Sequence, residues 1–149
     1  MVKVGKMVMA AISALVLGGM MSTTANASRW HSGTPKAIRG EFQAKRTGAQ
    51  GFGSRYSITR NQFVIGISNM PTEFINHLKY QKIGKHLYRV KGHVKKNAMI
   101  RFSHVDFAVY RKGKVMAFGD FGYQKTHKFV KSQYARQVKA YRNGEAIFK

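Results

Sequence analysis

Cysteine is absent from this chain of 149 residues. That excludes a disulfide scaffold, a cysteine-based metal site and a lipid-modified cysteine at a processed N-terminus. Acidic side chains are nearly absent too: Glu41, Glu73, Asp106, Asp120 and Glu145 are the whole set, against 27 Lys and Arg. Catalysis by paired carboxylates therefore has very few places to reside. The two prolines, Pro35 and Pro71, both fall between patterned segments, where breakers belong. The sequence shows no internal repeat, no low-complexity tract and no apolar run of the roughly 20 residues that a membrane-spanning helix needs.

The longest apolar run, Val8 to Met21, follows Lys3 and Lys6 and precedes Ala25-Asn26-Ala27. A basic start, a short apolar core and an A-x-A site form the layout of a secretory signal peptide. Cleavage is expected between Ala27 and Ser28. Residues 1–27 then form a signal peptide helix, and residues 28–149 a single exported domain. With Lys3 and Lys6 removed, the remaining 122 residues carry 25 basic and 5 acidic side chains, a formal +20. Such a charge opposes compaction and calls for anionic partners. Inside a cell the first expectation would be nucleic acid, and export removes it. The abundant polyanions outside are teichoic acids, anionic glycans and the headgroups of an anionic membrane surface. The expected location is secreted, extracellular and associated with the cell wall, and the lack of cysteine fits export from a Gram-positive type of cell.

All 18 aromatic residues lie beyond residue 27, from Trp30 to Phe148, which argues for an ordered core despite the charge. The dominant period is two. Ile38, Gly40, Phe42 and Ala44 alternate with charged and polar residues as a half-buried strand, and Gly48 to Gly51 makes a turn. Tyr56 and Ile58 pass through Arg60-Asn61-Gln62 to Phe63, Ile65 and Ile67, a second hairpin-like pair that ends at Ser68 to Pro71. Glu73 to Leu78 reads as a loop or one helical turn. Tyr88, Val90, Gly92 and Val94 form a clean strand, which Ile100 and Phe102 continue. The phase slips before Val105, so a β-bulge is expected near Ser103-His104. A Lys112-Gly113 turn would set Val109 opposite Met116 and Phe107 opposite Phe118.

Beyond residue 125 the period changes. Val130, Tyr134, Val138 and Tyr141 are spaced by four, four and three, Thr126 is a candidate N-cap, and Asn143-Gly144 is a candidate stop. The expectation is a C-terminal amphipathic helix closing a β core. The fold class is therefore mainly β: a single antiparallel barrel-like or sandwich domain with a C-terminal helix.

The sequence offers no catalytic constellation. Ser103-His104-Val105-Asp106 resembles a triad in composition only, since alternate strand residues face opposite ways and Ser103 points away from His104 and Asp106. A His104–Asp106 surface pair is expected instead, and Asp106 and Asp120 are each expected to meet a nearby Lys or Arg. The six histidines never fall in H-x-H or H-x-x-x-H spacing, so neither a metal nor another cofactor is expected. Gly48, Gly51 and Gly53 match no phosphate-binding fingerprint. What remains is basic: Lys79, Lys82 and Lys85, then Arg89, Lys91, Lys95 and Lys96. Arg89, Lys91 and His93 share one solvent face of a strand, a stripe suited to a linear polyphosphate. Tyr80 and Tyr88 lie among these cations.

The segment after the cleavage site, Trp30-His31-Ser32-Gly33-Thr34-Pro35-Lys36 leading into Arg39-Gly40, resembles the opening of small, basic, uncharacterised extracellular proteins of lactic acid bacteria. The resemblance implies export and a β-rich domain, and it carries no activity or functional residues. Gly40-x-Phe42 is similar to the Gly-x-Trp first strand of lipocalin-like barrels, which implies a barrel. The expected function is non-enzymatic electrostatic attachment to anionic envelope polymers. The alternatives are a lipocalin-like barrel for a small ligand and a cationic antimicrobial protein.

Overall fold

The computed structural model describes residues 29–45, 53–124 and 128–141. The signal segment, the Gly48–Gly51 turn, Thr126 and Asn143-Gly144 lie outside these residues. The strands are β1 (His31–Ser32), β2 (Gly40–Ala44), β3 (Arg55–Ile58), β4 (Phe63–Gly66), β5 (Glu73–Gly84), β6 (Leu87–Val94), β7 (Ser103–Lys112), β8 (Val115–Asp120) and β9 (Tyr134–Gln137). A 3-10 turn at Lys36–Ile38 precedes β2. A short helix, α1 (Phe121–Gln124), follows β8, and a second 3-10 turn at Lys131–Gln133 leads into β9.

Each strand from β2 to β9 pairs antiparallel with its sequence neighbour, and β9 returns to β2. The result is a closed eight-stranded up-and-down barrel. Closure removes the open edges that a sheet otherwise exposes to other chains. Strand β1 stays outside the ring, paired with β5 through His31 opposite Tyr80 and Ser32 opposite Lys79.

Alternation does the sorting between the two faces of the wall. Phe42, Tyr56, Ile58, Phe63, Ile65, Ile75, Val90, Val109, Met116 and Ala135 are buried on the inner face. Four rings from β3, β4, β7 and β8 occupy the interior: Phe118 lies 4.8 Å from Tyr56, 5.1 Å from Phe63 and 5.2 Å from Phe107. The Phe63–Phe107 distance is 5.8 Å. These edge-to-face packings are favourable beyond their area alone. A barrel of eight strands is just wide enough for side chains to fill.

The mainly β barrel expected from the alternation is present, and several local details differ. The β7–β8 turn is Gly113-Lys114 rather than Lys112-Gly113. Val109 therefore faces Phe118, and Arg111 faces Met116. Gly113 has φ +56°, the sign that a type II′ hairpin turn takes at its first central residue. The pairing slides by two residues, so the inward set survives. The β6–β7 pairing runs unbroken from Leu87–Tyr110 to Val94–Ser103, without the bulge expected at Ser103-His104. Asn97 to Phe102 form a loop there instead of a continuing strand.

The irregularity lies in β5, where His77 takes φ +53° and the register to β6 shifts between Asn76 and Lys79. That bulge disguises a strand of 12 residues as a loop in the Glu73–Leu78 sequence. Gly92 on β6 faces it: a Cβ there would stand 2.7 Å from both Ile75 and Leu78 side-chain carbons, so only glycine fits without displacement.

The C-terminal helix is corrected over the described residues 128–141. Tyr134–Gln137 is β9, bonded to both β2 and β8. A spacing of four satisfies a two-residue period as readily as a helical one. The inward residue is the small Ala135, while Tyr134 faces out. After β9 the chain crosses the outer face of β2 and β3. Val138 N–H donates to Glu41 O at 2.9 Å, and the Tyr141 hydroxyl donates to the Glu41 carboxylate and to Tyr56 O.

Candidate anion-binding face

The seven cations expected to bind polyanions separate into three groups, and Arg89 and Lys91 share a solvent face as expected. Lys79, Arg89 and Lys91 sit on the outer face of β5 and β6, where Lys79 is opposite Lys91 and Gln81 opposite Arg89. Lys82 pairs with Tyr88 near the β5–β6 turn, and Lys85 lies in the turn itself. Lys95 and Lys96 lie past the other end of β6. Strand direction separates them: 17 positions of sequence from Lys79 to Lys96 run up one strand and down the next, so only the middle of each strand lines up.

The central group acquires a residue that in the sequence stands out only as part of the opening motif. Pairing of β1 with β5 lays Trp30 over this face. Its ring centroid is 5.4 Å from Lys79 Nζ, 5.4 Å from Lys91 Nζ and 5.7 Å from the Arg89 guanidinium carbon. All three fall within the range of cation–π attraction. His31 stacks on Tyr80 at 5.1 Å and pins the same segment. The only sequence signal for this was a lone tryptophan shortly ahead of a glycine turn, and its partners lie far along the chain.

Asp106 orders the cations from β7. Arg89 Nε donates to Oδ1 at 2.9 Å and Nη2 to Oδ2 at 2.7 Å, a two-pronged pair, and Lys91 Nζ approaches Oδ2 at 3.6 Å. Burial pushes the Asp106 carboxyl up, but the Arg89 hydrogen bonds and the Arg89 and Lys91 charges outweigh it and hold it below its ordinary value. The same hydrogen bonds raise Arg89. The expected partner His104 is not the one Asp106 takes: His104 lies edge-on to His93 at 4.5 Å and to Phe102 at 5.2 Å. Asp120 instead accepts the Tyr123 N–H at the start of α1. Arg89 also lies 3.9 Å over the Phe121 ring of α1.

Beside this cluster is a shallow depression of about 310 Å³, bounded by His77, Lys79, Lys91, His93, His104 and Asp106. His93 is lowered below its usual value, first by desolvation and then by the charges of His104, His77 and Lys79. Among the described residues, no group of three His, Asp or Glu is arranged to hold a metal ion. A second, open concavity of about 740 Å³ lies across β9 and β2, with Lys45, Lys131 and Arg136 around Tyr134. No described helix is long and apolar enough to cross a membrane. Comparison with known proteins found no matching family model, no matching curated protein and no matching solved structure.

Proposed function

We propose that this chain is an exported, cationic, non-enzymatic protein that attaches to anionic polymers of the cell envelope, such as teichoic acids or anionic glycans. The observation that carries this reading is the placement of Trp30 among Lys79, Arg89 and Lys91 on one outward face. Adjacent strands lie about 4.8 Å apart, so the side chains present charge at intervals that an extended phosphate polymer can follow. A neighbouring indole supplies a surface for a sugar ring. Asp106 keeps Arg89 and Lys91 oriented and leaves the group with net positive charge. The four rings inside the barrel take up the space that a lipocalin-like ligand would need, which weighs against that alternative.

Trp30 is the only tryptophan in the sequence, so its fluorescence reports this face directly. Titration of residues 28–149 with a poly(glycerol phosphate) is expected to change Trp30 emission, with affinity falling steeply as salt rises. Lys79→Gln combined with Lys91→Gln is expected to weaken binding about tenfold and flatten the salt dependence by roughly two phosphate contacts. Binding indifferent to salt, or unaltered in that double variant, would overturn the reading.

A further inference from the structure

The barrel end away from the Gly113-Lys114 turn carries two loops side by side, 67–72 between β4 and β5 and 95–102 between β6 and β7. Lys95 N–H donates to Phe74 O at 2.7 Å, and Asn97 Nδ2 donates to Thr72 O at 3.3 Å, which ties the loops together. Each loop is also shaped from within. Met70 N–H reaches Ile67 O at 3.1 Å around Asn69, which has φ +63°. Asn97 Oδ1 accepts the N–H groups of Met99 and Ile100 at 3.0 and 2.9 Å.

Hydrogen bonds thus hold both tips, and Met70, Met99 and Phe102 are left outside while Ile100 packs toward the core. Met70 is 63% exposed, Met99 78% and Phe102 55%, in a protein whose core residues are mostly below 3%. Lys95, Lys96 and Arg101 lie on the same loop as Met99 and Phe102, all exposed.

The geometry points to this end of the barrel as a docking surface for an anionic lipid bilayer. Met70 and Met99 enter the interface, while Lys95, Lys96 and Arg101 meet headgroup phosphates. A soluble polyanion would use the three cations but offers nothing apolar to the methionines. A second copy of this chain would bring together surfaces of the same strong charge. An anionic bilayer satisfies both halves of the surface at once, and methionine suits an irregular acyl boundary because its side chain is unbranched and flexible. Each basic residue near such a surface strengthens attachment about fivefold. The inference assigns Lys95 and Lys96 to lipid rather than to the Trp30 face, and it stands whether or not that face binds polymer.

The test is co-sedimentation of residues 28–149, which include every described element, with vesicles of phosphatidylcholine alone or mixed with phosphatidylglycerol. Binding to the mixed vesicles and little to the neutral ones is expected. Met70→Ser with Met99→Ser keeps every charge and alters only exposed positions. It is expected to lower partitioning about tenfold while leaving thermal unfolding and poly(glycerol phosphate) binding unchanged. Lys95→Gln with Lys96→Gln is expected to lower it by more than about tenfold. In a Met99→Trp variant, emission is expected to shift to the blue on mixed vesicles. Equal binding to both vesicle types, or full binding by the double serine variant, would overturn the inference. So would sedimentation velocity showing a dimer that the serine variant abolishes, which would mark the patch as a contact between copies. Vesicle binding without polymer binding would instead defeat only the proposed function.

Discussion

Arg89 and Arg111 lie on neighbouring strands, and each rests on an aromatic ring, at 3.9 Å from Phe121 and 4.6 Å from Phe42. They face opposite sides of the barrel wall. Arg89 points outward and holds Asp106 with two hydrogen bonds, which raises its pKa. Arg111 points inward, donates to Gln137 Oε1 at 2.7 Å, and has its Nη1 buried with no hydrogen-bond partner among the described residues. Burial, with no carboxylate to offset it, holds this guanidinium below the ordinary arginine value. One arginine is an outward cation ordered by a carboxylate, and the other packs inward against Phe42. Net charge alone does not tell an outward cation from an inward one, and strand parity does.

Three substitutions sharpen or break this contrast. The largest effect is expected from Phe42→Ala, which removes a fully buried ring from the inner face and the support beneath Arg111. It should cost about 3–5 kcal/mol, read as a fall in the urea midpoint. Arg111→Met comes next. Replacing a desolvated charge with an apolar side chain of similar length should leave stability unchanged or raise it by about 1 kcal/mol in the same assay. A loss as large as that of Phe42→Ala would show that the inward guanidinium holds the barrel by charge and would end the contrast. The smallest effect concerns His93. Its folded pKa lies below the unfolded value of about 6.5, so the unfolded chain takes up the proton first. Its contribution to stability is therefore complete above that value and declines as pH falls through it toward the folded pKa. In His93→Gln the decline should be shallower across that window in thermal melts, and an unchanged slope would assign the effect to other groups.

The inner face was legible from the sequence because a closed barrel repeats one rule, apolar in and polar out. Phe42, Ile58, Phe63, Val90, Val109 and Met116 all obey it. The rule failed where the backbone departs from ideal pairing. His77 lies in a bulge, which hid β5, and Asn97 to Phe102 turn back on themselves where a strand was expected. The tail misled for a different reason: its apolar spacing fits two periods, and the inward residue is an alanine too small to stand out. Of the candidate site, the pairing of Lys91 with Arg89 on one face was readable from parity. Trp30 was not, because β1–β5 pairing is a long-range contact that no local pattern encodes. The exposed Met70 and Met99 escaped because the sequence does not tell an apolar side chain in the core from one outside it.

The closing strand also sets when the barrel can form. Among the described residues β9 supplies the last four that pair in the sheet, and it bonds to both β2 and β8. Without residues 134–137, β2 and β8 each keep one unpaired edge, and closing the ring brings Phe42 to Gln137 from nearly opposite ends of the described chain. Such distant pairing is slow to nucleate. A chain that lacks β9 exposes two adhesive edges. Truncation before β9 is accordingly a lesion of assembly rather than of any surface site.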